Sequence, residues 1–99
     1  MPTDVIQAGT KARPHPNVMV QRVEDDLLLV HLVTNQIFTL SSTAVRLWEL
    51  LAAGHTLESS IGNLLNEYDV ERSELEQDVY KTVNTLIKSD LLVLEANHP

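Results

Sequence analysis

Within one short stretch, "NQIFTLSSTAVRLWELL" (residues 35–51), the apolar residues change their repeat from two to 3.6. Before it come runs rich in β-branched residues; after it come stripes with helical spacing. Three strands are thus grouped ahead of three helices, which is the pattern of an α+β domain rather than an alternating α/β one. Strands this close in sequence can be joined only by tight turns, so the sheet is expected to be antiparallel.

"VMVQRV" (Val18–Val23) and "LLLVHLV" (Leu27–Val33) read as a hairpin, with "EDD" between them as the turn. A second turn at Thr34 and Asn35 leads into "QIFTL", Gln36 to Leu40, the third strand of a meander. Ser41 or Ser42 then stands ready to cap a helix with Ala44, Val45, Leu47, Trp48 and Leu51 on its apolar face, and Gly54 sits where a left-handed terminating residue is wanted. Thr56 opens a second helix carrying Leu57, Ile61, Leu64, Leu65 and Tyr68. A third begins near Ser73 and presents Leu75, Val79, Val83 and Leu86 before a stop at Asp90. "LLVL" adds a final short strand. The prediction is a winged helix-turn-helix-like domain over residues 18–95, a three-stranded antiparallel sheet followed by three helices. Residues 1–17, with three prolines and no lasting period, read as a mobile arm, and residues 96–99 as a tail.

Composition narrows the chemistry. Seven basic and fourteen acidic residues in 99 leave a net charge of −7, the wrong sign for a protein that binds by releasing counterions from phosphates. The third helix carries Glu71, Glu74, Glu76, Asp78 and Asp90 against Arg72, Lys81 and Lys88, so a winged-helix regulator of DNA is the lesser alternative. The absence of cysteine removes disulfides, thiolate metal sites and a cysteine nucleophile together. No run is apolar enough for a signal peptide or a membrane span, which points to a cytoplasmic protein without a membrane partner. His15, His31, His55 and His98 fall in an arm, a strand, a loop and a tail, without metal-ligand spacing; His31 reads as a surface or satisfied core histidine. The serines fit caps and the carboxylates fit turns and a helix N-terminus. No catalytic residue, metal or cofactor is expected.

One candidate site remains. "NQIFTL" reads as an edge strand, and between Gln36 and Leu40 it has no proline, lysine or other charge, the usual protections of an edge. The backbone of Gln36, Ile37, Phe38, Thr39 and Leu40 is available to pair with an extended peptide. The third helix, through Asp78, Val79, Thr82, Val83 and Leu86, is placed to wall the groove beside it. Asp78 suits a cation or donor on the ligand, and Ile37, Phe38, Val79, Val83 and Leu86 suit apolar side chains.

The order of these pieces resembles the PqqD-like domains, or RiPP recognition elements, which bind leader peptides of ribosomally made, post-translationally modified peptides. The resemblance is carried by the hairpin, by "IFTLSSTAVRLWELL", by "HTLESSIGNLLNEYDV" and by "QDVYKTVNTLIKSDLL", over residues 18 to 94. Ser41 stands where the family often has Asn, and Asp90 where it often has Gly. "LLAAGHT" lacks the Cys-Asp-Gly-like turn of the pyrroloquinoline quinone members, which favours the free-standing recognition proteins of lasso peptide biosynthesis. The resemblance implies a non-enzymatic protein that binds a precursor's leader region as an added strand and presents it to a separate cysteine-protease-type leader peptidase. A macrolactam cyclase would act on the released core. A chaperone for the pyrroloquinoline quinone precursor is the alternative within the family.

Overall fold

The computed structural model describes residues 10–95. In chain order it contains β1 (Lys11–Pro14), β2 (Val18–Val23), β3 (Asp26–His31), β4 (Ile37–Leu40), α1 (Thr43–Ala52), α2 (Leu57–Glu67), α3 (Arg72–Lys88) and β5 (Leu92–Glu95). The expected meander is present as an antiparallel sheet in the order β2-β3-β4.

The arm is corrected in one part. Residues 11–14 form β1, which pairs antiparallel with β5 from Lys11↔Glu95 to Pro14↔Leu92. Nothing local in "KARP" announces a strand, because only Ala12 is buried and its partner lies at the other end of the chain. A strand held by long-range backbone pairing leaves little periodic signal. Residues 1–9 of the arm and the tail 96–99 lie outside the described residues.

Turn chemistry sets the meander's register. Glu24 and Asp25 bridge the pair Val23↔Asp26; Glu24 has φ 58, as in the two-residue turns that suit the twist of a hairpin. Thr56 caps α2 by accepting a hydrogen bond from the Ser59 N–H at 3.0 Å. Gly54 has φ 101 and Asp90 φ 62, so both supply the left-handed residues expected after α1 and α3. The serines before α1 differ from expectation. Ser42 is the N-cap but makes no side-chain capping bond, and its φ of 55 with ψ −130 is a conformation that favours glycine. That φ is far from the extended backbone of a usual N-cap, whose side-chain oxygen accepts from the helix's first N–H groups.

The inner face of the sheet, with Leu27, Leu29 and Leu40, packs into one core with Leu47, Trp48 and Leu51 of α1, Leu57, Ile61 and Leu64 of α2, and Leu75, Val79, Val83 and Leu86 of α3. Trp48 is a packing residue, and its truncation would cost about 3–5 kcal/mol. Arg46 reinforces the α1–α2 contact by donating from Nε to Glu67 Oε1 at 2.9 Å and from Nη2 to Oε2 at 3.0 Å. Among the described residues no helix is long and apolar enough to cross a membrane.

Candidate functional site

Among the described residues β4 is hydrogen-bonded on one side only, to β3. Its free groups follow from the ladder. The His31 N–H donates to the Gln36 carbonyl at 2.9 Å, and Leu29↔Phe38 and Leu27↔Leu40 are the next alternate pairs. In an antiparallel ladder bonded pairs alternate with unbonded ones, so the N–H and C=O of Ile37 and Thr39 point away from β3. Those four groups form the open edge of the sheet, which an added strand could pair with.

Facing that edge is α3, and an open groove of about 810 Å³ separates them. Phe38 and Leu40 line it from the strand, Thr43 from the start of α1, and Asp78, Lys81, Thr82, Thr85 and Leu86 from the helix. A smaller recess of about 240 Å³ continues inward beneath Thr43, Asp78 and Thr82 and reaches Ala44, Leu47, Leu64, Leu75 and Val79. The groove therefore combines an apolar floor with a polar rim, and its charges are one acid and one base a turn apart on α3.

The structure sorts the expected residues. Phe38, Leu40, Asp78, Thr82 and Leu86 meet in the groove, and Val79 lies in the recess. Val83 is corrected: it is 0% exposed and lines neither space, so it belongs to the core. The side chain of Ile37 is also corrected. It is 61% exposed and pairs with Val30, one position out of step with the core-facing Leu29 and Phe38, so it stands on the outer sheet face. Ile37 and Thr39 serve the groove with their backbones, while Gln36 precedes the strand and closes its turn.

Thr43, Lys81 and Thr85 are groove residues that the sequence reading did not select. Lys81 and Thr85 lie three and seven positions after Asp78, so helical spacing from that residue would have found them. Thr43 depends on the reversal at Ser42, which no periodicity reveals.

The histidines thought to be dispersed are partly gathered. The His15 and His31 rings lie with centroids 4.9 Å apart at 44°. Of the two readings, surface or satisfied core, His31 takes the core one, but only half of it is satisfied: Nδ1 accepts hydrogen bonds, whereas Nε2 is buried without a partner among the described residues.

The sequence matches the model of the coenzyme PQQ synthesis protein D (PqqD) family over residues 26–92. The chain belongs to the PqqD family. That match spans β3 through the start of β5 and so includes both walls of the groove. Two solved structures share its fold at a TM-score of 0.77 each. TbiB1, in complex with the TbiA(beta) leader peptide, is 28% identical and aligns over 88% of this chain and 99% of its own. A lasso peptide synthetase B1 complexed with the leader peptide is 24% identical, over 84% of this chain and 98% of its own, and supports the fold alone. No curated protein matches the sequence. The winged-helix-like architecture of this PqqD-family chain thus agrees with the expected α+β class, extended by the β1–β5 pair.

Proposed function

We propose that this PqqD-family protein binds the leader segment of a ribosomally made precursor peptide in lasso peptide biosynthesis. The leader adds as a strand to β4, and the bound precursor is handed to a separate cysteine-protease-type leader peptidase and then to a macrolactam cyclase. The observation that carries this reading is the unpaired edge of Ile37 and Thr39 opening onto the α3 groove, in a fold shared with a 28% identical protein that is complexed with a leader peptide. Main-chain bonds supply the register of an added strand, and the groove selects alternate side chains. Phe38, Leu40 and Leu86 receive apolar groups, while Asp78 and Lys81 read polar or charged ones.

Such a protein is a carrier in the cytoplasm and performs no chemistry. Ordering a flexible leader costs several kcal/mol, so affinity rests on a few anchors. Its contribution to processing is effective concentration: a tethered cleavage site meets the peptidase far more often than a free one. The test is a titration of the protein with a fluorescent leader peptide encoded by a neighbouring precursor gene. Saturable binding that unlabelled leader displaces is expected; absence of saturable binding contradicts the proposal.

A further inference from the structure

We propose that His31 is the positioning residue of the open edge, acting through an imidazole Nδ1 that must stay unprotonated, so that taking up a proton at this ring releases the edge. The inference rests on the leader-binding reading for its functional consequence, but its structural part stands separately.

The connection from β3 to β4 has no packing of its own. Residues 32–37 are all exposed, Leu32 at 59% and Val33 at 68%, and the one buried side chain at the turn's base is His31, at 3%. Hydrogen bonds from this residue close the turn. Its backbone N–H donates to the Gln36 carbonyl at 2.9 Å, and its carbonyl accepts from the Asn35 N–H at 2.8 Å. Its Nδ1 accepts from the Val33 N–H at 3.2 Å and the Thr34 N–H at 3.3 Å. Asn35, at φ 64, completes the reversal. The first outward peptide group of the open edge, at Ile37, comes two residues after Asn35.

Two N–H donors aimed at Nδ1 require that nitrogen to carry no proton, so the neutral ring holds its hydrogen on Nε2. His15 repeats the arrangement: its Nδ1 accepts from the Asn17 N–H at 3.0 Å in the turn between β1 and β2, with the two ring centroids 4.9 Å apart. A proton on His31 places an N–H against two N–H groups and buries a cation. Among the described residues the groups around it offer no compensation. His15 comes from the β1–β2 connection; Val18 of β2 and Gln36 before β4 are uncharged; and the turn after α3 contributes the Leu91 carbonyl, bonded to the His15 N–H at 3.1 Å, with Asp90 exposed beside it. None of the four ion pairs among the described residues involves either histidine. The four turn bonds are therefore intact while the ring is neutral, and the two at Nδ1 are lost when it is charged.

The test is nuclear magnetic resonance of the ¹⁵N-labelled protein from about pH 8 to about pH 5, the span over which imidazoles commonly titrate, with leader affinity measured in parallel. The expected result is an Nε2-protonated His31 at the high end, with amide signals of Val33, Thr34, Ile37 and Thr39 changing in step with protonation of that ring. Two variants separate the acceptor from the side chain's bulk. In His31→Asn the Oδ1 can stand in for Nδ1, whereas His31→Gln carries its acceptor nearer the Nε2 position. At the high end His31→Asn is expected to bind leader within about threefold of the parent and His31→Gln about tenfold more weakly. On acidification the parent loses about tenfold in affinity and His31→Asn less than about threefold. An Nδ1-protonated neutral ring, amides of residues 33–39 indifferent to ring protonation, or two equally weak variants overturns the proposal. A parent that binds no leader at any pH defeats the functional reading instead, and the amide titration still decides the role of His31.

Discussion

The three-stranded sheet has two edges, and they are built differently. Among the described residues both β2 and β4 are bonded on one side only. β2 is exposed along almost its whole length, with Met19 and Val23 on one face and Val20 on the other, and the recess of about 800 Å³ that Arg22 lines is walled mainly by charged side chains of the hairpin and α1 (Asp25, Asp26, Arg46 and Glu49) rather than by a helix with an apolar floor. β2 carries a charge, Arg22, whose guanidinium donates to Glu49 Oε2 at 2.7 Å and ties the strand to α1. β4 has no charge, its inner side chains Phe38 and Leu40 are sheltered, and α3 stands across a groove from it. Under the leader-binding proposal, the wall beside the edge, rather than the open edge itself, is what distinguishes β4 from β2.

The largest effect expected from breaking this contrast is at the edge backbone. Thr39→Pro removes an outward N–H and places a ring where the added strand must lie, while leaving the bonds to β3 untouched; leader affinity should fall by about 2 kcal/mol, roughly thirtyfold. The matching change on the other edge is Val20→Pro. The Leu32 N–H bonded to the Asn17 carbonyl fixes the alternation there, so the Val20 N–H also points outward, and this variant should bind leader like the parent. Isothermal titration of both against one leader makes the comparison. Next in size is the wall: Thr82→Arg fills the groove from α3 and should weaken binding about tenfold with an unchanged melting temperature. Lys81→Glu should change affinity only a few-fold, because the side chain is exposed, and its effect should shrink as salt is raised.

Two smaller effects concern what holds the walls. Ser42→Gly relieves a positive-φ residue at the end of β4 and should raise stability by about 1 kcal/mol in chemical unfolding. The Arg46 hydrogen bond keeps the Glu67 carboxyl below its ordinary range, and the same bond raises the Arg46 guanidinium. A carboxylate whose folded value is depressed adds stability above its unfolded value and loses it as pH falls through the folded one. Glu67→Gln should therefore lower the melting temperature slightly at neutral pH, with the difference from the parent fading below the ordinary glutamate range.

Much of this was readable from residue order. The change of period at Ser41 placed the sheet before the helices, and apolar spacing found the inner faces of all three helices, because burial leaves a repeat in the sequence. The absence of charge in "QIFTL" singled out the edge. The misses share a different cause. β1 rests on pairing with residues eighty positions away and buries one alanine. Val83 and Leu86 share an apolar stripe, so only the packed fold separates core from groove. The side chain of Ile37 was assigned to the groove because alternation along a strand does not say which set faces inward until the register is fixed. The meeting of His15 and His31 likewise required β1 to be in place.

The central claim is that a leader adds to the edge of β4 and to no other edge. Amide hydrogen exchange of the ¹⁵N-labelled protein, with and without a leader encoded by a neighbouring precursor gene, reads it most directly. The prediction is new protection at the Ile37 and Thr39 amides with none at Val20 and Arg22. Saturating leader that protects β2, or that leaves Ile37 and Thr39 exchanging as in the free protein, would contradict it.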